Sequence, residues 1–556
     1  MFRMNTIHNQ QDLFDSSVWL NSKIKKKLQE GWAPLFYELV FCQVSEQMFS
    51  SLYSSNNGRP NAPVNILLCL EFIKHMKDYT DEELLEQFYF NYQVSYALGV
   101  RNLGEFYIAP RTLYEFREKI VEYAERHPDE ADLVFKQFEI LTENFVKVAK
   151  LKTGQQRSDS TQIIPNIKKA GRLSLAFDVL LNAVNAFPDD AVPEFLKHVS
   201  EPGFRTKILF TSKGSETKSR LGEVLTLSFR LLQYTKDNPE LNERPEILIL
   251  QRFMKEQTIC DETLTAFTVK DNKDISSDSL QSAYDEDATY RKKGNKENSG
   301  YVLNLAETCA DENPVQIITD YTLEKNIKTD IEMLKTRLPI IIKNTGVTEI
   351  YVDGGYYDEE LVIYASSLGV TLHFTNMTGR KTDSLKLPLT SFTRENEQRV
   401  VSCPAGHAPY ASNLDNTHTA INSHFDRKTC SCCPLRQACR VKIGKRRASL
   451  RIPLKSLHAA ETREKIETKA LHKETTSKRA AIEGTNSSLK RSQGAGKLRV
   501  RGIIKSKIVV GLKIIGNNFK RIRSCFASLK KVGAEIKSSL GLQGRDLYFA
   551  GVDNAN

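Results

Sequence analysis

Two aspartates stand where strand-like runs peak or end, Asp159 in RSDST and Asp353 in IYVDGGYY. Either one alone reads equally well as a turn or cap residue, because a short Asp side chain bonds readily to nearby backbone. A third acid changes the weighing. In SKRAAIEGTNSSLKR, Arg479, Glu483, Asn486 and Lys490 fall at offsets of four, seven and eleven, and at roughly 100° per residue they occupy one narrow stripe of a helix. Ile482 and Leu489 make an adjoining apolar stripe that can seat the helix on a sheet. The residues leave two readings open: a salt-bridged surface face worth about 0.2–0.5 kcal/mol per pair, or an acid presented beside bases at a sheet edge. Only the second does chemistry. Three carboxylates from two strands and a helix make a hard-oxygen site for Mg²⁺ or Mn²⁺, with Arg and Lys at hand for phosphate oxygens. Two such ions about 4 Å apart activate a water or a 3′-hydroxyl and stabilise the leaving oxygen of an in-line displacement at a phosphodiester.

Such chemistry acts on a polyanion, and the charge is laid out for one. The 556 residues carry 79 basic and 68 acidic side chains, a formal +11. Residues 441–540 hold 26 Lys/Arg against 6 Asp/Glu, a net +20, whereas residues 1–440 hold 52 against 60. Basic side chains that displace condensed counterions supply most non-specific nucleic-acid affinity. The plain alternative is a solvated tail, but Ile508, Val509, Leu512, Ile515 and Phe519 recur at helical spacing and make the segment read as folded. It lacks the aromatic stacking cluster that single-strand and RNA binders use.

The elements that must position these residues follow from periodicity. At several times the usual domain length of about 150 residues, the chain can bury more than one core. Residues 1–150 read as a helical N-terminal domain. Pro63 suits a first helical position ahead of Ile66, Leu67, Leu70 and Ile73, Thr80 with Glu83 forms a capping box, and Thr112 after Pro110 is expected to cap a third helix facing the core with Leu113, Phe116 and Ile120. Three short helices are compatible with a helix-turn-helix or with a plain bundle. Residues 151–400 read as the first part of an α/β core. Strands are expected at 155–164, 301–308, 315–322, 348–355 and 370–376, with helices around IKTDIEMLKTRL and DEELVIYASSLG and an all-helical insertion over about 165–280. Residues 446–535 form a basic helical part that completes the core, and 536–556 a tail.

Residues 401–445 stand apart. Five of the ten cysteines lie between Cys403 and Cys439. Cys430-x-x-Cys433 has the spacing that lets two thiolates share one zinc, Cys403 and Cys439 complete a tetrahedron, and Cys432 or His407 are alternatives. Free reduced thiols are the competing reading, and Cys42, Cys69, Cys260, Cys309 and Cys525 read as small buried hydrophobes. The opening MFRMNTIHNQ has no apolar signal core and the cysteines no framework spacing, which argues for a reducing, intracellular compartment. No run of about 18 apolar residues marks a membrane span.

Several blocks carry a family likeness: PVNILLCLEFIKHMKDYTDEELLEQF, RSDSTQIIPNIKKAGRLSL, SAYDEDATYRKKG, EIYVDGGYYDEE, RAAIEGTNSSLKR and RVRGIIKSK, which together span most of residues 60–525. In them the chain resembles the DDE transposases of bacterial insertion sequences, in the four/five superfamily and most like its eleven-eighty-two-type branch. That superfamily's helical signature of Tyr, two residues, Arg, three, Glu, six, Lys is matched by Arg479, Glu483 and Lys490, while Thr476 takes the tyrosine position. Similar transposases also carry the CPxG, CxxCPL and C block seen here from Cys403 to Cys439.

The resemblance implies an α/β fold: an RNase H-like mixed-sheet catalytic core, a helical N-terminal DNA-binding domain and a cysteine-rich, zinc-ribbon-like insertion. It implies that Asp159, Asp353 and Glu483 are catalytic and bind two Mg²⁺ or Mn²⁺ ions, that Arg479, Asn486, Lys490, Arg491, Arg499 and Arg501 contact DNA, and that zinc is structural. The partners implied are the terminal inverted repeats of the element and its target DNA, with a homodimer pairing two ends in the bacterial cytoplasm on the nucleoid. The acids lie 194 and 130 residues apart, long for a minimal core, so both gaps must hold insertions. The function implied is cleavage of element ends and joining of their 3′-hydroxyls to target. A DNA-binding protein without catalysis, or a nuclease that cuts without joining, are the alternatives.

Overall fold

The computed structural model describes residues 1–9, 15–210, 214–260, 266–293, 295–377, 385–396, 398–466 and 469–539. Its helical N-terminal part contains α1 (Val64–Lys77), α2 (Asp81–Phe90), α3 (Pro110–Arg126) and α4 (Leu133–Val148). The Thr80–Glu83 capping box forms as its spacing requires. Thr112 does not cap α3. Proline has no N–H to satisfy and a backbone angle already suited to a first turn, so the helix opens two residues earlier, at Pro110. Pro63 stands just before α1 and not within it. Residues 64–73 of α1 are all buried, so that length has no face for a DNA groove, and α3 exposes the acids Glu115, Glu118 and Glu125.

Strands β1 (Gln155–Ile163), β2 (Lys296–Thr308), β3 (Ile318–Lys325), β4 (Glu349–Gly354) and β5 (Thr371–Met377) form a mixed sheet in the order β3-β2-β1-β4-β5. β2 runs antiparallel to β1 and β3, while β1, β4 and β5 are parallel. The parallel part requires crossovers, supplied by α5 (Asp330–Thr345) and α6 (Glu359–Ser367). α5 opens on a Thr329–Glu332 capping box and closes on Gly346 in the left-handed region. The arrangement is a mixed α/β fold consistent with an RNase H-like core.

Both long gaps fold around cores of their own. Between β1 and β2, helices Arg172–Asn185, Thr217–Thr235 and Pro245–Gln257 pack around Phe177, Leu180, Leu225 and Phe253. The all-helical expectation misses a short ribbon there, Thr258–Cys260 paired with Phe267–Val269, because three-residue strands are too brief to show alternation. Beyond β5, a hairpin (Thr393–Glu395 and Arg399–Ser402) and a four-stranded sheet (Ala411–Leu414, Ala420–Phe425, Ala448–Pro453, Lys442–Ile443) enclose Phe392, Ile421, Phe425 and Ile452. Residues 401–445 lie inside this lobe.

The chain then returns through α7 (Leu454–Ile466), α8 (Lys469–Ser492) and α9 (Ile503–Ser539). α9 is no solvated tail. Residues 510–519 are buried throughout, wedged between α1, α4 and β3 in one apolar core that also takes in Ile482 and Leu489 of α8. Gly516 permits the approach of α1, since a Cβ there would stand 3.0 Å from the Met76 backbone. No helix among the described residues is long and apolar enough to cross a membrane.

At the start of the main sheet, Gly300 adopts φ +138°, and a Cβ there would lie 2.5 Å from the Ile163 carbonyl oxygen. Gly300→Ala is therefore expected to lower unfolding free energy by at least about 1–3 kcal/mol, measured by denaturant titration. An unchanged midpoint would mean that β2 and β1 are not tightly registered at this end.

Candidate active site

Neighbouring residues of β1 and β4, Gln155 with Glu349 and Arg157 with Tyr351, keep a register offset of 194. Continued by two residues, that register sets Asp159 beside Asp353 on the same face, because strand side chains alternate with period two. Pairing stops at Arg157, so the strands part just before the two acids.

α8 crosses this edge with the expected stripe turned inward. Arg479 Nη2 lies 3.2 Å from Asp159 Oδ1 and 3.9 Å from Asp353 Oδ2, while its Nη1 donates to Glu483 Oε1 at 2.9 Å. One guanidinium therefore touches all three acids. Asn486 Nδ2 donates to Asp159 Oδ2 at 3.1 Å, and the Gly355 N–H donates to Asp353 Oδ1 at 2.8 Å. Asp159 is 8% exposed, and burial, reinforced by Asp353, pushes its pKa above the ordinary carboxylate value against the pull of Arg479. Burial alone would lower the Arg479 pKa, but Asp159 and Asp353 more than offset it. The Glu483 side chain is 64% exposed and accessible to a partner. Lys490 is half-buried, its pKa lowered by burial against the attraction of Asp159. Thr476 keeps a buried Oγ1 with no hydrogen-bond partner among the described residues.

The remaining basic candidates separate from this cluster. Arg491 is exposed on α8. Arg499 bonds to the Tyr79 carbonyl and Asp78, and Arg501 donates to the Asn166 carbonyl with its guanidinium 4.9 Å from the Tyr284 ring centre.

In this arrangement no group of three or more His, Cys, Asp or Glu among the described residues is set to hold a metal ion. The donor chemistry still fits a hard cation. Three carboxylates converge on one positive group, and the Arg479 guanidinium stands in for the charge that a divalent ion would bring. The thiols behave likewise. Cys403, Cys430, Cys433 and Cys439 line one cavity of about 20 Å³ together with His407, whereas Cys432 is exposed and lies outside it. That space suits about one small atom. Of the cysteines expected to be buried, Cys69, Cys309 and Cys525 are; Cys42 is exposed, because a 3₁₀ turn faces it outward, and the Cys260 side chain lies outside the described residues.

A network that motif reading missed holds the site together. Glu307, on β2 directly across from Arg157, is fully buried. Arg157 Nε donates to it at 2.7 Å, Thr485 Oγ1 donates to it at 2.7 Å, and Arg521 of α9 pairs with it. Arg157 Nη1 also donates to the Lys478 carbonyl at 3.0 Å. Arg157 and Asp159 are two apart on β1; Thr485 and Glu483 are two apart on α8. The signal available was a glutamate inside the strand VLNLAET, most of whose residues are apolar.

Comparison with known families gives this mixed α/β fold and its cluster of acids a context. The transposase DDE domain family matches residues 402–523, which include Glu483 but neither aspartate, and the DUF772 transposase domain family matches residues 35–119, over α1, α2 and the first part of α3. Together they indicate an insertion-sequence DDE transposase. No curated protein and no solved structure matches the chain.

Removing Glu307 leaves the buried Arg157 and the part-buried Arg521 without their acid. Glu307→Ala is expected to cost about 3–5 kcal/mol of folding stability, read by chemical denaturation. A loss below about 1 kcal/mol would mean that apolar packing alone holds α8 on the sheet.

Proposed function

We propose that this transposase cleaves the ends of an insertion sequence and joins their 3′-hydroxyls to target DNA. What supports the reading is the convergence of Asp159, Asp353 and Glu483 on Arg479. Three acids from two strands and a helix share a single positive group at the parted edge of a mixed sheet.

Asp159, Asp353 and Glu483 would hold two Mg²⁺ or Mn²⁺ ions. When bound, such ions activate the attacking hydroxyl and stabilise the leaving oxygen of the phosphodiester. The chain's own groups do the rest. Asn486 fixes one oxygen of Asp159 and so orients the other. The Gly355 N–H does the same for Asp353. Arg479, which touches all three acids, would also be the phosphate contact of the site, since a guanidinium binds phosphate oxygens in a bidentate fork. Lys490, drawn toward Asp159 by charge, lies on the same stripe as a second phosphate contact. Pairing of two ends calls for a homodimer, and the protein would act on chromosomal DNA in the bacterial cytoplasm.

Two expected outcomes test the reading. Asp353→Asn and Glu483→Gln should abolish cleavage of a plasmid carrying the element's ends while leaving end binding within a few-fold of wild type, by about the logic of removing one metal ligand but no binding surface. Cleavage retained by either variant would remove that residue from the triad. Cys403, Cys430, Cys433 and Cys439 hold a structural zinc in this reading, so the purified protein should contain zinc by elemental analysis and Cys433→Ser should lower its melting temperature. A metal-free protein with an unaltered melt would leave the lobe held by its apolar core.

A further inference from the structure

Behind the helix that carries Glu483 lies a second polar groove, of about 410 Å³, within the roughly 300–1,000 Å³ range of ligand clefts. It is bounded by α8, α9 and the turn between β2 and β3. Its polar lining among the described residues is Ser488, Asn517, Lys520, Arg521, Ser524 and Ser528, none of them a carboxylate. Ser488 is two residues beyond Asn486, about 200° round the helix, so this groove looks away from Asp159.

Two of these groups lack the partners their burial calls for. Asn517 is 2% exposed, yet its Nδ2 has no hydrogen-bond partner among the described residues; an unsatisfied buried donor costs about 1–3 kcal/mol unless something accepts from it. Lys520 is half-buried and makes no ion pair among the described residues. The acid nearest in charge to it, Asp78, is already shared by Arg499 and Lys513, each at 3.4 Å. Arg521 is neutralised by Glu307. Burial, together with the charge of Lys77, holds the Lys520 amine below its usual pKa against the weaker pull of Asp78. Lys77, at the end of α1 and 5.3 Å from the Trp32 ring centre, is in turn lowered by burial and by Arg523. An unsatisfied amide donor, three hydroxyls and an unpaired amine, in a cleft with no acid among its described lining residues, are complementary to an anion with several oxygens.

We propose that this groove binds a phosphate of the DNA backbone at a position separate from the three carboxylates, Lys520 and Asn517 being its principal donors. The inference rests on the reading of the chain as a DNA enzyme. It favours a strand over a free phosphate because Lys77 and Arg523 continue the positive charge past the groove. A DNA gripped there would bear on the back of α8 while another stretch lies at the acids on its front.

The experiment is the salt dependence of duplex binding by the full-length protein, wild type against Lys520→Ala, with Lys520→Arg as rescue and the exposed Lys26→Ala as control. Lys520→Ala leaves no acid unpaired and should keep the wild-type melt. Expected are uniformly weaker binding across sequences and a log K against log salt slope reduced by about 1, restored by arginine and unmoved by Lys26→Ala. A wild-type protein that binds and cleaves DNA while Lys520→Ala keeps its slope overturns this inference and leaves the transposase reading standing. Inorganic phosphate that raises the melting temperature of wild type but not of Lys520→Ala, with the slope unchanged, makes the groove a free-phosphate site and overturns the DNA assignment. A wild-type protein that binds no duplex overturns both.

Discussion

The buried carboxylate of Glu307 is the constraint on which the site depends. A fully buried acid is tolerated only when paired and hydrogen-bonded, and Glu307 takes its partners from three places in the chain: Arg157 on β1, Thr485 on α8 and Arg521 on α9. Each partner lies close in sequence to something the chemistry needs. Arg157 shares a strand face with Asp159, Thr485 shares a helix with Glu483, and Arg521 ends the buried stretch of α9. A shift of α8 along its axis would break charge-assisted hydrogen bonds in a dry interior, where few alternatives exist. Apolar packing by Ile482 and Leu489 presses the helix down; the ion network sets its register. That division of labour explains how residues 320 positions apart, Asp159 and Arg479, meet at hydrogen-bond distance.

The same constraint makes the long insertions tolerable. Neither interrupts a strand or helix of the core, and each brings apolar side chains enough for its own interior. The insertion after β1 leaves before the sheet edge is closed and returns through the Thr289–Lys293 hairpin into β2. The cysteine-bearing lobe leaves after β5 and returns through α7, where His458 bonds Glu359 of α6 at 2.5 Å. Loop-closure entropy grows only with the logarithm of length, so a gap of 130 residues costs little more than a short one once the ends are clamped. α9 then closes the whole, running between the N-terminal helices and the sheet, so residues from both ends of the chain share one core.

Much of this was legible in the residues. The core strands and both crossover helices follow from the residue patterns of their segments, and the α8 stripe from arithmetic at 100° per residue. What stayed hidden was long-range. Nothing in the spacing of Glu307, Arg157 and Arg521 shows that they meet, because pairing across a sheet depends on register, which one sequence does not display. The side-by-side placement of Asp159 and Asp353 is of the same kind: their separation of 194 equals the β1–β4 register only once both strands are known to be parallel neighbours. Small errors have local causes. Thr112 looked like a cap by residue type, but the preceding proline starts the helix first. Cys42 looked buried by composition, and a 3₁₀ turn faces it outward.

Charge counting along the chain also needs revision in three dimensions. The net +20 of residues 441–540 pointed to a polyanion partner, yet several of its cations are engaged by groups of the protein itself. Arg479 bridges the acids, Lys478 lies 5.2 Å from the Tyr351 ring centre, Arg499 and Lys513 hold Asp78, and Arg521 neutralises Glu307. These cations do structural work at the seams between α8, α9, α1 and the sheet. Counterion release, and with it affinity for DNA, comes only from charges left without an acid of their own. A linear charge density therefore overstates the number of phosphate contacts. The salt dependence of binding should follow the smaller set of unpaired cations, among them Lys490, Arg491 and Lys520, which flank α8 front and back.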